Sequence, residues 1–199
     1  MTYEQAEAMV RGRLSEHRLR HTLNVKEMAL RLARRYGVNE EKAAMAAVLH
    51  DAAKEISKPE LLRIMRDNAI IAKGAEKRPA PVWHGVCAAI LARTEWGVED
   101  EEILSAIACH TTGKAGMTRL DKIIFLADMI SAERSYPGVE ELRALAMEDL
   151  DAAMIRALTM TIQFVEEKQA PVDEESRRAL RWLQENTNQG NSSKETVNE

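Results

Sequence analysis

The chain has 199 residues, 45% of them hydrophobic and 30% charged, enough for one sizeable core or two small ones beneath a well-solvated surface. Its net charge of −4, from 28 basic and 32 acidic residues, speaks against nucleic acid as a partner, although a small anionic ligand needs only a local basic cluster. Aromatic residues are only 4%, while Ala, Leu, Met, Glu and Arg abound, a mix that favours helices over strands.

The opening stretch "MTYEQAEAMVRGRL" carries charges throughout and has no apolar segment of signal-peptide type. No run of about 18 uncharged apolar residues occurs, so no membrane span is expected and the cytoplasm is the expected location. Over residues 20–36, Val25, Met28, Ala29, Leu32, Ala33 and Tyr36 recur at helical spacing, and Gly37 supplies a stop. Asn39 then caps a helix with Glu40 and Glu41 in its first turn, running into "AAVLHDAAKE" at 46–55. A short helix follows Ser57, with Pro59 in its first turn. Gly74, Pro79 and Pro81 predict a loop over 69–81. Helices are predicted over 82–97, ending at Gly97, over 99–110, halting at "TTGKAG", and over 118–133. Pro137 and Gly138 break the chain before one long helical region at 139–168, and Pro171 breaks it again before a last helix at 173–186. Residues 187–199 lack apolar periodicity and are expected to form a disordered polar tail. No strand and no internal repeat is evident, so the expected fold is all-α, a single helical bundle over 1–186. Cys87 and Cys109 lie far apart in apolar helical stretches and read as buried thiols.

Four of the five histidines begin or end apolar helical runs: His21 in "RLRHTLNV", His50 in "AAVLHD", His84 in "VWHGVCAA" and His110 in "IACHTTG". Alone, each reads as a hydrogen-bonded core residue. Together, on separate helices packed round one core, they can converge. His17, in "SEHRLR", lies among charges and reads as a solvated surface residue despite its i, i+4 spacing to His21. Asp51 follows His50 directly, and Asp128 sits inside "IIFLADMI", where a charged carboxylate is costly unless a cation, a salt bridge or a helix cap meets it. Imidazoles with carboxylates suit a borderline divalent metal such as iron, manganese or zinc. His50 and Asp51 can serve one centre if their helix ends there, and Asp51 can also bridge two metals. No serine or cysteine has a partner base, so nucleophilic catalysis by a side chain is not expected.

The order His21, His50–Asp51, Asp128, with His84 and His110 between, resembles the HD-domain phosphohydrolase superfamily. The segments "RLRHTLNV", "AAVLHDAAKE", "HGVCAA", "HTTGKAGMTRLDKIIFLADMI" and "RSYPGVEELR" look like its YqeK-type branch, the symmetrical bis(5′-nucleosyl)-tetraphosphatases, over roughly residues 10–185. That resemblance implies a single HD-domain bundle that cleaves diadenosine tetraphosphate into two ADP by attack of a metal-activated water on a phosphoanhydride. It implies that His21, His50, Asp51 and Asp128 ligate the principal metal, typically iron, with manganese as the other candidate. His84 and His110 would complete a second metal site or contact phosphate. Arg18, Lys54, Thr111 and Arg134 would hold the polyphosphate, and Lys54 joins Asp51 and Asp128 in the catalytic set. Two departures stand out. Asn24 occupies a position where the family often has glycine, and "APVDEESRRALRW" places Ser176 for a threonine and Leu180–Arg181 for Arg–Asn, which bears on contacts to the nucleoside. The alternatives are an HD phosphohydrolase for another nucleotide (a nucleoside monophosphate, a dNTP, a cyclic dinucleotide or guanosine tetraphosphate) or a non-catalytic nucleotide-binding module. An exposed apolar helix face would allow a homodimer.

Overall fold

In the computed structural model, backbone is described for residues 1–195 and side chains as far as residue 187. Among the described residues there is no strand, and the chain is built from helices α1 to α11. The helix starts follow their caps. Thr2 and Gln5 form a capping box at α1 (Tyr3–Arg13). Ser15 caps α2 (Glu16–Tyr36), Asn39 caps α3 (Glu40–Leu49), and Ser57 caps α4 (Lys58–Asp67). Gly37 ends α2 in the left-handed region at φ 65°. The stripe of α2 is buried as expected except for Tyr36, which stays half-buried and donates its hydroxyl to Ala146 O.

Region 69–81 is more ordered than a loop. It holds the short helix α5 (Ala69–Ala72) and two 3-10 turns, Ala75–Lys77 and Ala80–Val82. Proline excludes an α-helical interior but tolerates the first positions of a single tight turn, which is where Pro81 falls. Helices α6 (Trp83–Thr94), α7 (Glu101–Cys109) and α8 (Arg119–Ile130) stand where helices were expected, ending up to three residues early. The single helix expected over 139–168 is two, α9 (Val139–Glu148) and α10 (Leu150–Glu167). The break is Asp149, extended at φ −142° and ψ 109°, whose carboxylate accepts from the amides of Asp151 and Ala152 and so caps α10. Apolar periodicity continues on both sides of it, which hides the break. Helix α11 (Glu174–Glu195) packs on α10 and runs past the expected end at 186. The backbone of residues 187–195, expected to be a disordered tail, continues α11, and residues 196–199 lie outside the described residues.

One apolar core joins these elements, with Leu32, Leu49, Ile90, Ile107, Phe125, Leu126 and Met154 fully buried. Helix α3 runs through its middle, buried over Ala43 and Met45–Leu49, and touches α1, α2, α7 and α8. Its alanines let those neighbours approach closely. Cys87 and Cys109 are free and buried, and burial pushes the Cys87 thiol up to about 12. No described helix is long and apolar enough to cross a membrane.

Candidate metal centre

The site is assembled from helix ends. Helix α3 stops at Leu49, and the chain tightens into successive turns, Ala52 N–H to Leu49 O at 3.1 Å and Lys54 N–H to Asp51 O at 2.9 Å. These turns aim His50 and Asp51 at one point. Helix α7 stops at Cys109, and His110 caps it. The amide of Gly113 returns to Cys109 O at 2.8 Å with φ +64°, and a Cβ there would meet Ala179 Cβ at 3.1 Å and Met117 Sδ at 3.2 Å. His84 lies in the first turn of α6, Asp128 in the last turn of α8, and His21 in the second turn of α2. Gly85 makes room, since a Cβ on it would lie 3.2 Å from the His110 ring.

Three of the imidazoles are held alike. Nδ1 of His50 donates to Ala47 O at 2.6 Å, that of His84 to Pro81 O at 2.9 Å, and that of His110 to Ile107 O at 2.8 Å. Donation from Nδ1 leaves Nε2 as a bare lone pair. All four histidines and Asp51 are buried. Asp51 sits among them with its two oxygens divided. Its Oδ2 lies 3.8 Å from His21 Nε2 and 3.7 Å from His50 Nε2. Its Oδ1 lies 3.2 Å from His84 Nε2 and 3.6 Å from His110 Nε2. Asp128 Oδ1 closes the first side, 3.0 Å from His21 Nε2. The donor atoms form three overlapping sets: His21, His50 and Asp51; His50, His110 and Asp128; Asp51, His84 and His110.

Burial pushes His50 and His84 down to about 4, so both are neutral near pH 7. Burial acts the same way on His21, but the Asp128 carboxylate beside it, and then Glu133, outweigh burial and raise its pKa. Burial works to raise Asp51, yet His50 and the nearby His110 and His84 hold it well below the usual carboxylate range. Asp128 is likewise depressed against its burial, through His21, His50, His110 and Arg134. Among the described residues, His50 Nε2 and Asp51 Oδ1 are buried without a hydrogen-bond partner, while His21 Nε2 faces Asp128 Oδ1 at 3.0 Å. Lone pairs left facing one another in a dry interior are costly, on the order of 1–3 kcal/mol each, unless a positive centre satisfies them. Neutral imidazole nitrogens with ionised carboxylate oxygens are the donor set of a divalent first-row metal, so the residues fit one.

Three cations stand at the mouth, each partly exposed. Arg18 Nη1 lies 3.3 Å from Asp51 Oδ2. Lys54 Nζ lies 3.1 Å from His84 Nε2 and 3.8 Å from Asp51 Oδ1, and burial lowers its pKa. Arg134 Nη2 lies 2.5 Å from Asp128 Oδ1, while its Nε donates to Asp128 O at 2.9 Å. Thr111 and Ser176 are not among the cluster's donor atoms. They line a cavity of about 280 Å³ between the 79–82 segment, α10 and the start of α11. His17 is exposed.

Glu133 is the residue that sequence reading missed. Its Oε1 accepts from His21 Nδ1 and from Ser131 Oγ, the latter at 2.8 Å, and its Oε2 accepts from Asn24 Nδ2 at 2.7 Å. Helix-end histidines find free carbonyls three residues back, whereas His21 lies within α2, where carbonyls are already used. A buried mid-helix histidine therefore needs an acceptor from elsewhere. The sequence carries that signal without saying which acid answers it. Asn24, one turn beyond His21, steadies the answer.

A family model described as the HD domain matches residues 18–133. The chain is 40% identical over 183 residues to the symmetrical bis(5′-nucleosyl)-tetraphosphatase of Bacillus subtilis (strain 168), covering 92% of this chain and 98% of that one. It is 42% identical over 176 residues to the protein of the same description in Halalkalibacterium halodurans, covering 86% and 91%. A crystal structure from Clostridium acetobutylicum, described as a predicted HD superfamily hydrolase involved in NAD metabolism, superposes with a TM-score of 0.89 at 34% identity, over 94% of this chain and 98% of that one.

Proposed function

The chain belongs to the HD domain family, and from that premise we propose that it is a divalent-metal-dependent hydrolase that splits diadenosine tetraphosphate symmetrically into two ADP. The observation that carries the reading is the buried convergence of His21 Nε2, His50 Nε2 and Asp128 Oδ1 on Asp51, with His50 Nε2 and Asp51 Oδ1 unpartnered among the described residues, in a chain so similar to enzymes of that description. His21, His50, Asp51 and Asp128 hold the principal cation, with iron the first choice and manganese the second. His84 and His110, on the other oxygen of Asp51, hold a second cation or meet phosphate directly. When bound, such a cation supplies a water acidified from 15.7 towards about 7 and positive charge against the phosphate oxygens.

The chain's own side chains do the rest. The helix ends bury the ligands and keep bulk water from them. Arg134 offers a planar fork suited to two phosphate oxygens, and Arg18 and Lys54 add point contacts beside Asp51. Lys54 Nζ, next to His84, also places a proton at the site. ADP is a good leaving group, so no dedicated general acid is required.

His50→Ala and Asp51→Ala are expected to lose both bound metal and turnover, read by elemental analysis and chromatographic separation of products. Full activity in a metal-free variant sinks the metal assignment. Two ADP from diadenosine tetraphosphate is the expected product pattern, and AMP with ATP rejects the symmetrical cut. The solved relative's description keeps a second reading in the assay, an HD hydrolase for another nucleotide. Faster cleavage of a nucleoside monophosphate, a dNTP or a cyclic dinucleotide would select it.

A further inference from the structure

We infer that Arg143, in α9, is a positioning residue that sets Arg134 for phosphate without itself meeting the ligand; this rests on the phosphate role given to Arg134 above. Helix α8 delivers Asp128 and then stops with no basic residue in its last turn and Ser131 as its cap. Its final carbonyls therefore need donors from elsewhere. Side chains beyond the helix supply them. Asp128 O accepts from Arg134 Nε at 2.9 Å, and Met129 O from the Tyr136 hydroxyl at 2.9 Å. Arg143 reaches across from α9 for the rest. Its Nε donates to Ile130 O at 3.0 Å, and its Nη2 to Ser131 O at 2.7 Å and to Arg134 O at 2.8 Å. Its Nη1 meets Glu140, earlier in the same helix.

One guanidinium thus holds both ends of the 131–134 turn, which closes through the Arg134 amide to Ser131 O at 3.0 Å. Only a rigid planar fork can span three carbonyls, whereas a lysine ammonium is a single point. With its N–H groups so engaged, and its side chain only 20% exposed, Arg143 is placed to act through Arg134 and not on a ligand. It belongs to none of the cluster's donor sets. Of the two charged residues in the turn, Arg134 depends on it more. The Glu133 carboxylate is held independently by His21, Asn24 and Ser131 Oγ. Arg134 is anchored at its guanidinium by Asp128 and at its carbonyl, among the described residues, by Arg143 alone. The first anchor is shared with the cation assigned to Asp128. The second belongs to Arg143, and it fixes the backbone from which the Arg134 fork projects. Arg134 Nη1 has no partner among the described residues and stays available to phosphate.

The test reads ADP affinity by calorimetry on the manganese-loaded full chain, and manganese affinity by competition with a chelator. Arg143→Lys is expected to weaken ADP about tenfold, the order of one lost charge-assisted hydrogen bond, and to leave manganese affinity unchanged. Arg143→Gln, which keeps two donors, serves if the lysine variant does not load metal. Tyr136→Phe removes a neighbouring cap from the same helix end without touching Arg134, and is expected to change neither affinity. In an Arg134→Ala background, Arg143→Lys is expected to add nothing further, because residues that act as one unit are not additive. ADP affinity that ignores Arg143 overturns the inference. So does a loss shared equally with manganese affinity or with Tyr136→Phe, or a set of Arg143 and Arg134 effects that add in full. Wild-type turnover of diadenosine tetraphosphate is measured alongside. Turnover with no role for Arg143 in ADP affinity overturns the positioning and leaves the activity standing. Arg143-dependent ADP binding without turnover supports the positioning and overturns the activity.

Discussion

At the residue scale, what distinguishes the four imidazoles is what holds each one. His50, His84 and His110 lean on backbone carbonyls, but His21 leans on the Glu133 carboxylate, itself fixed by Ser131 and Asn24. A carboxylate behind an imidazole fixes its tautomer and raises its basicity towards a metal. Glu133→Gln keeps the shape and removes the charge, so we expect metal affinity to fall about 10- to 100-fold, measured by competition with a chromogenic chelator, with the unfolding midpoint of the metal-free protein little changed. Affinity equal to wild type would show that Glu133 does no more than fill space. The contrast also shows what was legible. Ligand types and their order stand in the sequence, because burying an aspartate within "IIFLADMI" or a histidine in an alanine run demands a reason. Glu133 lies among ordinary surface charges, and its partner is 112 positions away, so nothing local marks it.

At the element scale, the cluster depends on where helices stop and on how closely two of them pass. The stop at Cys109 was readable, within a residue, as an apolar run halting in "TTGKAG", whereas the stop at Leu49 was left open by the alanines that continue past Asp51. The close passage of α6 against His110 was not readable, because one glycine in a helical pattern does not reveal its neighbour. Gly85→Ala tests this passage. Alanine is a better helix former than glycine, by up to about 1 kcal/mol in a helix interior and less in the first turn of α6 where Gly85 lies, so α6 itself does not lose. Its methyl would sit 3.2 Å from the Ala108 carbonyl oxygen and from His110 Cε1 and Nδ1, so the α7 backbone and the ring must together yield by a few tenths of an ångström. We expect turnover to fall about tenfold or more while the thermal midpoint holds or rises, because misplacement matters more to chemistry than to folding. Gly12→Ala in α1, where nothing lies within 4 Å of the new methyl, is the control and should leave turnover unchanged. The break at Asp149 shows the same limit of sequence reading from the other side. A capping carboxylate can interrupt a helix whose apolar period runs on unbroken.

At the scale of the whole molecule, five stretches between His21 and Asp128 are drawn to one point by a single alanine-rich core, and folding and metal binding are therefore linked. The all-α class and the single core followed from composition and period, whereas the convergence needed three dimensions. Metal-free protein carries the strain of its neutral histidines. His50 and His84 titrate near 6.5 when unfolded and about 4 when folded, so the unfolded chain binds more protons between those values and stability falls as pH drops through that window. Each contributes roughly 3 kcal/mol of loss at the acid end, at about 1.4 kcal/mol per pKa unit. His21, raised when folded, works oppositely: its contribution is complete below 6.5 and is lost as pH rises through its folded value. We expect urea midpoints of metal-free protein to fall from pH 6.5 to 4. Added manganese at about 100 times its dissociation constant should raise stability by about 2.7 kcal/mol at pH 7 and progressively less under acid, as protons displace it. Midpoints indifferent to both pH and manganese would sink the linkage. The divided oxygens of Asp51 bear on how such a site can drift. His84 meets Asp51 only through Oδ1 and belongs to a single donor set, so a lineage that exchanges it disturbs that side and leaves His21, His50, His110 and Asp128 in place. Position 51 has no such gradual route, since one mutation there dismantles both sides together, and a chain could shed half its centre long before it could afford a change at that single aspartate.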